Sequence, residues 1–331
     1  SRKAGNAFLT ANSETMNGTT SVALFFVESD GSGSDANLYN WTPDAEQDVY
    51  AQAAVALSWW SAQAKKHSDC WAVFRIEPHF ATQDGRCAQW REPILHPSTD
   101  YAAAVSEVLG NFGYTVGGSL ARCIAYNAAL RTVNNTDWAY SAFVAANPTG
   151  PTAYPDGYAA WAYLGGPYTA LLQHSFGWSF KQVFAHESAH AFRACDEYSV
   201  AGYGGCSSCA GCTDTGVLNG NCEVCTSDPA ACMMRTNAFA LCSYTIGQLG
   251  WDRAPCVPQS LPAPQLDAVL PAAVPPGADM DIDLQGALFV HGDEVDFGPD
   301  IAVTTVNIVS ASLLRVRIHV GLEASVGLRD V

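Results

Sequence analysis

The chain of 331 residues changes character once, and that change limits every fold open to it. Its 12 cysteines, 9 tryptophans and 13 tyrosines all lie before Leu266, and none follows. Pro255, Pro258, Pro262 and Pro264 mark the break. So dense a run of proline forbids a helix or central strand and reads as a linker. The expected organisation is a large domain over residues 1–258 and a small one over 259–331. Beyond the break the runs MDIDLQ, LFVHG, EVDFG, AVTTVNIV and LLRVRIHV are separated by Gly, Pro and Asp. Short strands with frequent turn residues predict a small all-β sandwich.

Before the break, apolar segments alternate between strand and helix character. Ser21 to Glu28 (SVALFFVE), Trp71 to Ile76 and Trp138 to Val144 read as buried strands. Thr42-Pro43 supplies an N-cap and first-turn proline for a helix over Asp44 to Lys66, and Ser98 can start another through Leu109. Ala159 to Leu164 and Tyr168 to Leu172 read as two strands around Gly165-Gly166-Pro167. Leu241 to Trp251 reads as a final short helix. The alternation predicts an α/β or α+β domain.

Composition then excludes several classes of function. Sixteen basic against 32 acidic residues give a formal charge of −16, with no Lys/Arg stripe to meet phosphates. Nucleic acid is therefore not an expected partner. No apolar run approaches the twenty residues of a membrane span, so membrane insertion is not expected either. An even cysteine count this high fits a secreted, extracellular chain with disulfides, and the polar start Ser1-Arg2-Lys3 fits a processed one. The sequons at Asn17, Asn40 and Asn134 bear on that only in a eukaryotic host.

The chemistry concentrates after Ser179. Ser179-x-x-Gln182 is a capping-box pattern, and Phe180, Val183 and Phe184 begin an apolar helical stripe. That helix carries His186-Glu187-Ser188-Ala189-His190. A helical spacing of four sets both imidazoles on one face, roughly 5–6 Å apart at Cβ, where both reach one Zn²⁺ at about 2.0–2.1 Å. Glu187 beside the first histidine is placed to take a proton from water. A catalytic zinc needs a third protein ligand, and Asp196 follows His190 by six residues, with Glu197 as the competing carboxylate.

The string HESAHAFRACDEY resembles the metzincin zinc peptidases, whose long motif reads HExxHxxGxxH/D, and above all the bacterial branch reading HExxHxFGAxDEY. The resemblance implies an α+β fold with a twisted mixed sheet and a zinc-binding helix, His186, His190 and Asp196 as zinc ligands, Glu187 as general base and a protein or peptide as substrate. It also implies a methionine turn beneath the metal, matched by Cys232-Met233-Met234-Arg235, with Met234 taken as the floor. Leu241-Cys242-Ser243-Tyr244 and Gly247-Gln248-Leu249-Gly250-Trp251 match the closing helix. By the same analogy Ala159, Ala160, Trp161, Ala162, Tyr163 and Leu164 form the edge strand to which an extended peptide would add. Such enzymes often set a tyrosine near the zinc, and Tyr198 and Tyr244 are both candidates. One position departs from the pattern: Arg193 stands where the family has Gly. If that turn needs a positive φ, a side chain there costs on the order of 1–3 kcal/mol.

Cys206, Cys209, Cys212, Cys222 and Cys225 fit either a thiolate zinc knot or disulfides, and the extracellular reading favours disulfides. The loops Gly216 to Asn221 and DGSGSDAN (30–37) carry oxygens of the kind Ca²⁺ takes, but without EF-hand spacing they read as solvated turns. His67, His79, His96, His174, His291 and His319 read as surface or core residues. After the break, Pro275-Pro276-Gly277, Asp283-Leu-Gln-Gly286-x2-Phe289, Val295-x-Phe297-Gly298 and Ala324-x2-Gly327-x-Arg329-Asp330-Val331 resemble the IPT/TIG immunoglobulin-like domains. That resemblance implies a spacer or a module for an extracellular partner. The rival to a zinc endopeptidase is a catalytically silent peptidase-like scaffold, for which Arg193 is the single argument.

Overall fold

The computed structural model describes residues 15–67, 71–199, 209, 215–252, 265–287, 289, 295–310, 313–325 and 327. The cysteine positions 206 and 212 and the terminal motif residues 329–331 lie outside them.

The first run, SVALFFVE, becomes the middle of β1 (Gly18–Ser29), a strand buried along almost its whole length. Continuous apolar character is what a parallel strand covered on both faces requires. Parallel neighbours β2 (Ala72–His79) and β4 (Trp138–Ala145) flank it, and the two-residue β3 (Ala88–Gln89) pairs with its end. Beyond β4 come β6 (Tyr168–Leu172), parallel, and β5 (Ala160–Ala162), antiparallel at the edge, giving the order β2-β1-β4-β6-β5. The sheet is mixed, and its one antiparallel strand on this path is the expected edge strand.

Alternation along β1 divides the core in two. Val22, Leu24 and Phe26 face a layer that holds α1 (Pro43–Ala64) and α4 (Phe180–Ala191). Ala23, Phe25 and Val27 face the opposite layer, with α2 (Tyr101–Asn111) and α3 (Ser119–Asn134). Thr42 caps α1 by accepting the Ala45 amide at 3.2 Å, and Pro43 occupies the first turn, where its missing N–H costs nothing. The expected helix from Ser98 begins instead as a single 3₁₀ turn and becomes α-helical at Tyr101. No sequence signal had drawn out α3. It buries Cys123, Tyr126, Asn127 and Leu130, spaced by three and four, and its polar remainder hides that stripe.

Short helices α5 (Met233–Thr236) and α6 (Ser243–Gln248) close this unit beneath α4. The C-terminal residues form a separate antiparallel sheet, β7-β8-β10-β9 (Gln265–Leu270, Asp279–Ala287, Leu313–Val320, Ile301–Ser310). It has its own apolar cluster of Ile282, Leu284, Phe289, Phe297, Leu314, Val316, Ile318 and Val320. On the other face Arg315 pairs with Asp283 at 2.7 Å and Arg317 with Asp281 at 3.2 Å. Among the described residues this all-β unit is one four-stranded sheet. No described helix is long and apolar enough to cross a membrane.

Candidate metal centre

Helix α4 is fixed from several sides before any chemistry is asked of it. At its start Gln182 Oε1 accepts the Ser179 amide at 3.1 Å, the capping-box bond read from the sequence. Gln182 Nε2 donates to the Asn237 carbonyl at 3.2 Å, tying the helix start to α5. Trp60 of α1 donates its indole N–H to the Ala185 carbonyl at 3.0 Å, and Tyr140 of β4 shares a 2.7 Å bond with the Ser188 hydroxyl. These bonds are buried, so they fix the rotation of the helix about its axis. Its face bearing His186 and His190 is thereby held toward the segment that follows.

The turn after α4 brings that segment back. The Arg193 amide donates to the His190 carbonyl at 2.9 Å and the Ala194 amide to the Ala189 carbonyl at 3.1 Å. This pair is the Schellman arrangement, which ends a helix through one left-handed residue, usually Gly. Arg193 occupies that position with φ of 70°. The sequence expectation of a positive φ at the departing residue is therefore met, and the turn is kept with a side chain in it. The Ala194 carbonyl then accepts from His190 Nδ1 at 2.7 Å, so the turn that redirects the chain also orients the second imidazole.

Each histidine is held the same way. His186 Nδ1 faces the Met233 carbonyl at 3.0 Å. A ring nitrogen facing a carbonyl must carry the proton, which leaves Nε2 as the electron-pair donor of the neutral ring. Both Nε2 atoms converge on Asp196 Oδ1, at 2.9 Å from His186 and 3.2 Å from His190. Two ligands on a tetrahedral zinc with bonds near 2.0–2.1 Å stand roughly 3.3 Å apart, so these spacings suit one shared ion. Three lone-pair donors this close require positive charge among them, supplied by protons or by a metal cation. The titration behaviour shows the same demand. Burial works against a charged His190, yet the Asp196 carboxylate overcomes it and lifts the imidazole to about 9. Burial also pushes Asp196 up, but the charge of His190 and bonds from both imidazoles hold it well below the usual carboxylate range.

Glu187 completes the group. Its ligand oxygen lies within 4.8 Å of the histidine nitrogens, and Oε2 is buried with no protein hydrogen-bond partner. Burial raises its carboxyl, while the two histidines draw it partly back. A buried carboxylate of raised basicity beside two imidazoles is equipped to accept a proton from water. Tyr198 lies 6.0 Å from His186 between ring centroids, and burial, reinforced by the charges of Asp196 and Glu187, keeps its hydroxyl protonated. Of the two tyrosine candidates, Tyr198 is the one against these ligands; Tyr244 lies over Gly220, where a Cβ would meet its ring.

Asp196 and Glu197 part company. The Glu197 carboxylate turns away into a fully buried pocket, bonded by Thr245 Oγ1 at 2.9 Å, Cys242 Sγ at 2.8 Å and Asn221 Nδ2. Its amide donates to the Met234 carbonyl at 2.8 Å, so the methionine pair holds His186 through one carbonyl and Glu197 through the next. Asn219 Nδ2 donates to the Asp196 carbonyl at 2.7 Å, and Gln248 Oε1 accepts the Cys195 amide at 2.8 Å. Residues 195–197 are thus braced by side chains that the sequence placed in a turn and in the closing helix without this role. Asn219, Asn221 and Gln248 are common surface types, and only their burial betrays the role.

The chain matches no family model, and neither a curated protein nor a solved structure matches it. What the site can do follows from its own geometry.

The edge strand is shorter than expected. β5 spans Ala160, Trp161 and Ala162, paired with Leu171, Ala170 and Thr169. Ala159 and Tyr163 extend the pairing through single bonds to Leu172 and Tyr168, and Leu164 belongs to the turn. The strand packs against α4, and the Gly165 amide donates to the His190 carbonyl at 2.8 Å. Gly165 is needed there: its φ is 81° and a Cβ would lie 3.4 Å from the Arg193 guanidinium.

In the cysteine-rich stretch Cys209 and Cys225 form a disulfide. In the loop at 30–37, Asp35 Oδ2 is bonded to His96 at 2.6 Å and to the Glu92 amide, and Asp30 closes a local turn onto Ser32. These carboxylates thus bond within the fold.

Proposed function

We propose that the chain is an extracellular zinc-dependent endopeptidase of metzincin type. The observation that carries this reading is the convergence of His186 Nε2, His190 Nε2 and Asp196 Oδ1, with both Nδ1 atoms bound to backbone carbonyls. That arrangement presents three oriented donors of the types zinc prefers and leaves a position for substrate. When bound, zinc supplies Lewis acidity and makes water at its open position a stronger acid. Glu187 accepts the proton of the attacking water and returns it to the leaving amine. The Tyr198 hydroxyl, its ionisation opposed chiefly by burial, remains neutral at working pH. An extended peptide lies against β5 by adding backbone hydrogen bonds, which favours proteins and peptides over small esters.

A silent scaffold had only Arg193 in its favour. With Arg193 in the left-handed turn, His190 and Asp196 still meet. The test is metal content and casein hydrolysis of wild type beside Glu187→Gln. One zinc in each, with hydrolysis lost by at least a hundredfold in the variant, is expected. Bound zinc with no hydrolysis by either protein on a broad peptide panel would return the scaffold reading.

A further inference from the structure

Beneath the site, Cys232 and Cys242 are free thiols, both buried. They stand on facing legs of the hairpin that carries the methionine pair, closed by a 2.8 Å bond from the Met233 amide to the Ala240 carbonyl. Cys232 Sγ lies 3.4 Å from the Cys242 amide nitrogen. Their sulfurs and a Glu197 oxygen all fall within 4.8 Å of one another, a grouping that could serve a metal or a disulfide.

The contacts decide between the two. Cys242 Sγ is 2.8 Å from Glu197 Oε1, a hydrogen-bond distance. A sulfur and an oxygen on one tetrahedral zinc would stand roughly 3.5 Å apart. The Thr245 hydroxyl lies 2.9 Å from Glu197, 3.2 Å from Cys232 and 3.6 Å from Cys242, filling the space an ion would need. Oxidation asks for less. Glu197 would lose one donor, the Cys242 thiol, and keep Thr245 and Asn221. No buried charge would be orphaned.

We propose that Cys232 and Cys242 close to a disulfide that staples the methionine hairpin under the candidate metal centre. The bond forms by exchange with a small-molecule disulfide such as oxidised glutathione. The two cysteine sulfurs give up two electrons and two protons to form one S–S bond, and the oxidant's S–S bond is reduced to two thiols. The staple fixes the carbonyls of Met233 and Met234, which hold His186 and Glu197. Closing an eleven-residue loop is worth on the order of a hundredfold in the unfolding equilibrium. This inference does not depend on the chain being a peptidase.

The test is peptide mapping of the full chain, alkylated without reduction before and after equilibration with oxidised glutathione. Trypsin cuts at Arg235 and an Asp-specific protease before Asp228, so Cys232 and Cys242 fall in separate fragments, Asp228–Arg235 and Thr236–Trp251, each with one cysteine. The expected product is these two fragments covalently joined and separable by reductant. In oxidising buffer Cys232→Ser/Cys242→Ser should unfold more readily than wild type, and the difference should vanish under reductant. A chain isolated reduced that closes this bond under glutathione supports the pairing and counts against the extracellular reading alone. Both cysteines alkylated after oxidation, or Cys242 joined to another cysteine, would overturn the proposal. So would a second equivalent of zinc retained by wild type and lost in Cys232→Ser.

Discussion

Arg193 offers the sharpest test of how this site is built, through a comparison of Arg193→Gly with Arg193→Ala. Both substitutions delete the guanidinium, so the loss of its contacts cancels between them. What differs is one Cβ at φ of 70°. A left-handed residue bearing a Cβ costs roughly 1–2 kcal/mol. Gly returns about 0.5–1 kcal/mol of that through the greater freedom of its unfolded chain. The net expectation is Arg193→Gly more stable than Arg193→Ala by about 1 kcal/mol. For a domain of this size that is roughly 2–4 °C in melting temperature. Differential scanning calorimetry with added zinc and with chelator measures it. The difference should persist with chelator, because the strain sits in the Schellman turn and needs no metal. Equal stability, or a more stable Ala variant, would refute the claim that position 193 is strained. The link between that turn and the orientation of His190 would then lose its support.

The other expectations concern the braces around the site and the sheet behind it. Glu197→Ala leaves buried donors on Asn221 and Thr245 without an acceptor, and should cost about 2–4 kcal/mol in urea unfolding, with weakened zinc affinity. Tyr140→Phe removes only the bond to Ser188, which keeps its own bond to the Phe184 carbonyl, so a loss near 1 kcal/mol is expected by the same assay. His79 is stacked on Phe25 and bonded to Tyr126 at 2.6 Å, and burial pulls its imidazole down from 6.5 to about 4. The folded state therefore disfavours the proton. Stability is complete above pH 6.5 and declines as pH falls toward 4, by on the order of 3 kcal/mol. His79→Gln should flatten that part of the urea-midpoint profile; an unchanged slope would remove His79 as its source.

Legibility followed the range of the interactions. β1, α1 and α4 were readable because their signals are local: an unbroken apolar run, a Thr-Pro start, a capping box. The meeting of His186, His190 and Asp196 has the same local basis, since eleven residues span all three and helix geometry sets two of them on one face. α3 escaped because an amphipathic stripe of Cys123, Tyr126 and Leu130 interrupted by Asn127 does not look apolar. Asn127 is buried only because Ser141 of β4 donates to its Oδ1 at 2.7 Å and it donates to the Pro167 carbonyl. That is a contact between distant segments, and no window of sequence contains it. The choice between Asp196 and Glu197 was of the same kind. Adjacent carboxylates point to different sides of an extended chain, and which side meets the histidines depends on what receives the other. Here Asn221, Thr245 and Cys242 receive Glu197. The residue that competes with Asp196 in sequence is thus the one that aims it in space: burying Glu197 on one side of the backbone turns Asp196 to the other. A site can be spelled by its ligands, but its aim is set by their neighbours.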